Sequence, residues 1–403
     1  MAADGNRPCP AVVVPLHETG LEVVRALGRR GVQVIGVDAD RLRPGSYSRY
    51  CLRFVRSATE GQGLVDTLMG LGAELGTKAV LFPCGDPQVL TVSGGRTLLE
   101  QHYLLPLPEE SVVSTLMRKD LFAAIAQELG YPIPRTFVVE GEARAEEIAR
   151  KVRYPCILKP AVRTEQWERK RLPKNYLLHA PEGLMEAYHA CAPFAAQVVV
   201  QEWIPGSDED VYFCLVYFDQ MGRPVASFTG RKLRQWPPQR GCTAVATGHA
   251  EAELEELTIR FLRQIGFRGL GSMEYRLDPR DGRFVMIEPT VGRIDLQSGV
   301  SELYGISFPW VAYADLAGLD VTVSKKPNGE AKWVHEEGTG RLFVRELWKR
   351  DLSCRQWKRL LQGRRRYAVL AGDDWGPTCA LCLDGIRRVG KGLVRRMLHK
   401  SLN

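Results

Sequence analysis

The first forty residues constrain the fold most, because short β-branched apolar runs there alternate with a helical pattern. Residues 11–15 (AVVVP) form an unbroken apolar run, as in a parallel strand covered on both faces. Thr19-Gly20 then opens a helix to about Arg30. Leu21, Val24 and Leu27 supply its apolar stripe, and Gly31 its stop. Residues 32–37 give a second strand that ends at Asp38. This βαβ unit raises the question of dinucleotide binding. The first turn, PLHETG, lacks the G-x-G-x-x-G that lets a pyrophosphate approach the backbone, and Gly61-Gln62-Gly63 is not followed by a third glycine. His17 in that turn therefore reads as a loop or substrate-edge residue. The pattern continues with a strand at 50–55, a helix at 63–75 and a strand over Ala79–Pro83. Asp86 follows the last of these, where open α/β sheets bind ligands. It is either a substrate contact or a helix N-cap. A loop marked by Pro106 and Pro108 closes this first domain near residue 115.

A chain of 403 residues has room for two or three domains. No apolar run approaches the roughly 18 residues of a membrane span. The start, MAADGNRPCP, has no charged region leading into an apolar one, so no signal peptide is expected. The ten cysteines are scattered. Cys379 and Cys382 form the one close pair, and without a partner pair they read as small apolar residues one helical turn apart. Free thiols fit a reducing cytoplasm, the expected location. The net charge of +8 admits nucleic acid, an anionic membrane or anionic small molecules as partners. The excess gathers in residues 163–174 and after Lys325.

In the middle of the chain, Met117-Arg118-Lys119-Asp120 leads into a helix at 121–129. Gly130 stops it, and two prolines hold an extended approach to a strand over Thr136–Val139. A helix at 142–152 precedes YPCILKP. Lys159 ends an otherwise apolar strand, so its ammonium must reach an anion or water. Phosphate oxygens would serve; a snorkelling edge lysine is the structural alternative. Residues 163–174, basic and containing Trp167, read as a loop that either closes over phosphates or is simply solvated. The strand in VVVQEWIPG runs into a turn followed by Asp208, Glu209 and Asp210. Strands over Val211–Phe218 and 224–229 form a hairpin, and the basic cluster 230–234 comes after it. An amphipathic helix at 251–265 leads into residues 271–297. There, strands carrying Glu274 and Glu288 flank the turn DPRDG. Two carboxylates on neighbouring antiparallel strands can converge, and such oxygen ligands suit Mg²⁺. The alternative is a hairpin whose acids are solvated or paired with nearby arginines. Arg293, just beyond, could neutralise a phosphoryl group in transfer.

Taken in order, MRKDLFAAIAQELGYPIPRT, YPCILKP, VVVQEWIPG, GRKLRQWPP, GFRGLGSMEY and VMIEPTVGR resemble the ATP-grasp superfamily over about residues 10–320. The resemblance is to its carboxylate–amine ligase branch, the group that includes D-aspartate ligase. Biotin carboxylase and D-alanine–D-alanine ligase are more distant. Each motif alone is weak; six in sequence order are specific. The resemblance implies α/β and α+β classes: a Rossmann-like pre-ATP-grasp domain (1–115), an ATP-grasp domain (116–323) and a basic, mostly helical C-terminal region (324–403). It implies that Lys119 and Lys159 contact ATP phosphates, Lys159 nearest the α- and β-phosphates. Gln201, Glu202 and the Ile204 backbone would line the adenine hinge, and Asp210 would hold the ribose. Arg231 and Lys232 would face the γ-phosphate or the carboxylate substrate. Glu274, Glu288 and Thr290 would bind Mg²⁺, with Mn²⁺ as the alternative ion, and Arg293 would steady an acyl phosphate. The sequence departs from the family pattern Glu-x-Asn-x-Arg: it reads Glu288-Pro-Thr290-Val-Gly-Arg293, with Thr in the Asn place and Arg one position late. The glycine-poor loop after Lys159 is a second departure.

The implied activity is ATP-dependent amide formation between a carboxylate and an amine through an acyl phosphate, an EC 6.3 type ligation. Both substrates would be small molecules or cell-envelope or polysaccharide precursors. The absence of G-x-S-x-G and G-x-x-x-x-G-K-[ST] agrees with chemistry that needs no covalent protein nucleophile. Two other readings stay open: a non-catalytic ATP-binding sensor or membrane-recruited scaffold, and a biotin-carboxylase-like carboxylation. In the C-terminal region, residues 352–362 and 383–398 can form helices. The second is basic and amphipathic, so it either lies on anionic lipid at the membrane periphery or packs on its own domain. No nucleic-acid-binding fold is recognised. A homodimer is among the expected assemblies.

Overall fold

The structure is a computed structural model that describes residues 9–161, 167, 170, 172–173, 175–239, 241–323, 330–349 and 353–383. It divides into two units. The larger comprises Met1–Met117, Phe213–Met273 and Pro289–Asn403; the smaller comprises Arg118–Tyr212 and Glu274–Glu288.

The larger unit begins with the expected βαβ pattern. Strands β1 (Ala11–Val14), β2 (Val34–Asp38), β3 (Cys51–Arg56), β4 (Ala79–Pro83) and β5 (Tyr103–Leu104) form one sheet in the order β3-β2-β1-β4-β5. All of its pairs are parallel. Every residue of β1, β2 and β4 is buried, which explains why their sequences do not alternate. The helix Glu18–Gly28 packs Leu21, Val24 and Leu27 into the same core as Val13, Val34 and Phe82. Each such side chain contributes about 1.5–3 kcal/mol on burial. His17 caps this helix, its Nδ1 accepting from the Thr19 amide at 3.2 Å. Asp86 does not cap its helix, Asp86–Gly94, because Gly85 occupies the N-cap position.

The smaller unit holds β6 (Thr136–Val139), β7 (Cys156–Pro160), β8 (Tyr176–Leu178) and β9 (Val198–Glu202), all antiparallel in the order β6-β9-β7-β8. Helices Glu142–Lys151 and Pro181–Cys191 supply Ile148, Ala149 and Leu184 to a core shared with Leu158, Trp167, Val198 and Val200. Gly130, at φ +74°, ends the helix Lys119–Glu128 where the sequence placed a stop. Most of the basic segment 163–174 lies outside the described residues. Trp167 is within them, buried, with its indole N–H donated to Pro173 O.

The third sheet runs β14 (Phe284–Val291), β13 (Gly269–Leu277), β10 (Val211–Phe218), β11 (Pro224–Trp236), β12 (Cys242–Gly248), β15 (Ala331–Val334) and β16 (Arg364–Tyr367). Strands β10, β13 and β14 contribute residues to both units. One expectation needs correction. Strand β11 does not stop at residue 229 but carries the basic cluster to Trp236, so Arg231 and Lys232 are strand residues. The C-terminal region, expected to be mostly helical, also adds two strands to this sheet, β15 paired with β12 and β16 with β15, beside the helices Glu336–Lys349 and Cys354–Leu360. Cys379 and Cys382 lie one turn apart on a helix, as expected, and both are exposed. The basic amphipathic stretch expected at 383–398 lies outside the described residues, apart from Leu383.

A buried ion pair fastens the segment after β16 to the first helix. Arg25 and Asp374 meet at 2.9 Å with side chains 3% and 1% exposed. Arg25 also donates to Val369 O at 2.8 Å, while Asp374 accepts from Ser48 Oγ at 2.7 Å and the Arg49 amide at 2.9 Å. Both charges thus have several hydrogen-bond partners, the condition under which such a pair is tolerated in a core.

Candidate nucleotide site

In the smaller unit, strand alternation sets the positions of the key polar groups. Cys156 and Leu158 of β7 face the core, so Ile157 and Lys159 face the other way. Gln201 of β9 lies opposite Ile157 and thus on the same face. Lys159 Nζ donates to Gln201 Oε1 at 3.0 Å, and Gln201 Nε2 donates to Thr136 Oγ1 at 2.9 Å. Lys119 opens the helix Lys119–Glu128, and its Nζ lies 2.9 Å from Glu288 Oε1. Lys159 is pushed down to about 8, first by burial and then by the positive charge of Lys119, against the pull of Glu288. Two lysines distant in sequence therefore bear on one place, and one of them holds its charge at a cost. Such a pair needs anionic charge beyond a single carboxylate.

The turn after β9 is held rigid. Ile204 is 4% exposed. Gly206 takes φ +130°, and a Cβ there would come within 2.8 Å of Asp210 Oδ2. That oxygen accepts from Ser207 N at 2.6 Å and Ser207 Oγ at 2.9 Å. Arg276 of β13 donates to Pro205 O at 3.2 Å, Gly206 O at 2.6 Å and Ser207 O at 3.3 Å. Its guanidinium also lies 5.4 Å from the Trp203 ring centre. Sequence reasoning missed this clamp; the signal available was an arginine two residues after Glu274 on a strand face. Glu202 is buried and accepts from Arg280 at 2.9 Å. Arg280 also grips Asp278, so the hairpin turn supports Glu202 directly. Glu274 is half-buried on β13, and its negative charge acts on Arg276.

The larger unit holds Arg231, Lys232, Thr290 and Arg293. Lys232 is buried, with Gln235 Oε1 at 3.4 Å, and Arg231 is half-buried beside it on β11. Arg293 pairs with Asp86 at 2.6 Å, which gives that acid a partner instead of a capping role. Thr290 Oγ1 donates to Asp295 Oδ1 at 2.5 Å. Ser272 Oγ donates to Asp295 Oδ2 at 2.5 Å, and Gln297 Nε2 reaches the same oxygen at 3.3 Å. Asp295 was not among the expected site residues. Among the described residues, no group of three or more His, Cys, Asp and Glu is placed to hold a metal.

No family model matches the chain. In sequence it is similar to a D-aspartate ligase of Enterococcus faecium, 24% identical over 284 residues, covering 66% of this chain and 65% of that protein. It is also similar to a D-alanine–D-alanine ligase of Ectopseudomonas mendocina, 22% identical over 280 residues, covering 67% of this chain and 78% of that protein. The chain thus spans just under two thirds of the D-aspartate ligase. In fold it matches the biotin carboxylase domain of the Hydrogenobacter thermophilus 2-oxoglutarate carboxylase, solved as a dimer with MgADP, ADP and bicarbonate. There the TM-score is 0.62 at 17% identity, covering 80% of this chain and 73% of that one. An ADP complex of N5-carboxyaminoimidazole ribonucleotide synthetase gives a TM-score of 0.60 at 13% identity, covering 80% and 79%. The Rossmann-like sheet and the antiparallel sheet bearing Lys159 agree with the expected resemblance: in sequence and in fold the chain is similar to carboxylate–amine ligases of the ATP-grasp superfamily.

Proposed function

We propose that this chain is a ligase that uses ATP and Mg²⁺ to activate a carboxylate as an acyl phosphate and pass the acyl group to an amine, making an amide. The observation that carries the reading is Lys159, half-buried with a depressed pKa of about 8, held by Gln201 while Lys119 and Glu288 act on it. A triphosphate would supply the negative charge that this arrangement lacks. The expected donors are of the chemical kind that a hard divalent cation takes. Glu274 and Glu288 offer carboxylate oxygens and Thr290 a hydroxyl oxygen, and phosphate oxygens would complete the shell. Bound there, Mg²⁺ would neutralise phosphate charge; Mn²⁺ takes the same donors.

In this reading Lys119 and Lys159 fix the phosphates. The clamped turn at 203–207 and buried Glu202 form the adenine hinge, and Asp210 serves the ribose. Arg231 and Lys232 orient the carboxylate so that its oxygen attacks the γ-phosphorus and ADP leaves. Arg293, fixed by Asp86, balances charge on the acyl phosphate while the amine attacks the acyl carbon and phosphate departs. The substrates are proposed to be small or cell-envelope-precursor carboxylates and amines, handled in the cytoplasm by a homodimer.

A peripheral membrane contact has its own support. Residues 324–403 carry 19 Lys and Arg against eight Asp and Glu, so the rest of the chain is slightly acidic. On the helix Glu336–Lys349, Trp348 is 88% exposed and Val344 63%. Among the described residues no helix is long and apolar enough to cross a membrane.

The test is incubation with ATP, Mg²⁺, a panel of carboxylates and hydroxylamine. Hydroxamate formed together with ADP and phosphate is expected. Nucleotide binding with no hydroxamate from any acid, and no ADP release above background, would count against the ligase.

A further inference from the structure

We propose that Asp295 is the positioning residue that makes Thr290 a metal ligand, so that the pair does the work of one asparagine; the inference rests on the ligase reading above. A side-chain amide carbonyl presents its lone pairs in fixed directions and needs no help to do so. A threonine hydroxyl rotates, so aiming its lone pairs at a cation requires its single hydrogen to be fixed in another direction. Something must hold that hydrogen away. Asp295 does so: Oδ1 takes the Thr290 hydrogen at 2.5 Å, which leaves both lone pairs of Oγ1 unengaged by that bond.

The carboxylate itself is held on its other side. Oδ2 accepts from Ser272 Oγ at 2.5 Å and from Gln297 Nε2 at 3.3 Å, and Gln297 is in turn fixed by Thr243 Oγ1 at 3.2 Å. Ser272 and Gln297 are 2% and 5% exposed on the relative scale, so this support is shielded from water. The direction of each bond follows from the chemistry, since a carboxylate accepts and all three neighbours donate. A ligand hydroxyl bonded to an anion is also more electron-rich than a free one, as with carboxylates that support metal-bound histidine. The chain departs from the family pattern at Thr290, and five residues later it carries the group that corrects for the departure.

The test measures Mn²⁺ binding by electron paramagnetic resonance in the presence of a non-hydrolysable ATP analogue, with no turnover required. Asp295→Asn keeps the shape but presents an amide that can donate toward Thr290, and it is expected to weaken Mn²⁺ binding about 10-fold or more. Thr290→Asn is expected to bind within about threefold of the unaltered chain. In the Thr290→Asn background, Asp295→Asn should add less than about twofold, because an amide oxygen needs no partner to take its hydrogen. If Asp295 is merely structural, its loss costs as much in that background as in the original, and the proposal is overturned. It is overturned equally if Asp295→Asn leaves Mn²⁺ binding unchanged. Failure of the unaltered chain to bind Mn²⁺ with the analogue would instead bring down the ligase reading itself.

Discussion

Lys159→Met should stabilise the protein while removing nucleotide binding. An ordinary lysine titrates near 10.5, and Lys159 is lowered to about 8, chiefly by burial and then by Lys119. That gap, about 2.5 pH units, corresponds to about 3 kcal/mol of penalty on the charged form in the folded state. Below pH 8 both folded and unfolded chains carry the proton, so the penalty is present in full. Between 8 and 10.5 the unfolded chain binds a proton that the folded chain does not, and stability rises with pH until the penalty is gone. Methionine has no charge to desolvate, but it leaves Gln201 Oε1 without its donor, at a cost of about 1 kcal/mol. The net expectation is a variant more stable by about 2 kcal/mol at pH 7, with the advantage shrinking above pH 8 and reversing slightly near pH 10.5. Urea titrations of both proteins across that range supply the difference directly, and groups common to both cancel. Saturating ATP should raise the melting temperature of the unaltered protein and leave that of the variant unmoved. A variant that is less stable at pH 7, or a difference that does not change with pH, would refute the reasoning.

Arg276→Ala should raise KM for ATP about 10-fold or more while lowering kcat less, because it frees a turn held by three hydrogen bonds and a ring contact without touching the reacting atoms. Steady-state kinetics over an ATP series would check it. Arg25→Met should destabilise the fold by about 3–5 kcal/mol by stranding the buried Asp374 charge, and Arg25→Met with Asp374→Leu should recover much of that loss, as chemical denaturation would show.

The sequence was most legible where one physical cause acts alone. The runs that became β1, β2 and β4 are apolar at nearly every position because both faces are covered, so no alternation was needed to find them. The hairpin of β13 and β14 was marked by its turn, where Asp278 N donates to Arg283 O at 2.9 Å. Lys159 stood out as a cation ending an apolar strand. Strand β16 was hidden because its sequence is RRRY: three arginines read as a solvated charge run, yet Arg366 is consumed by Glu22 and Glu302 at 2.7 and 2.9 Å. The length of β11 was hidden in the same way, by cations that interrupt the apolar run of the hairpin. Asp295 and Arg276 act on other protein groups, and spacing along the chain carries no mark of such partners.

The lock between Arg25 and Asp374 also bears on the order in which the molecule can be completed. The opening helix cannot satisfy its buried guanidinium until a segment nearly 350 positions downstream has been made. Ala368 and Val369, from that same late segment, lie in one core with Ala11 and Leu21. During synthesis the amino-terminal βαβ layer must therefore wait, with an unmatched charge and an open apolar face, until the last tenth of the polypeptide is emerging. A chain cut short before that point would expose this unfinished surface to chaperones and proteases.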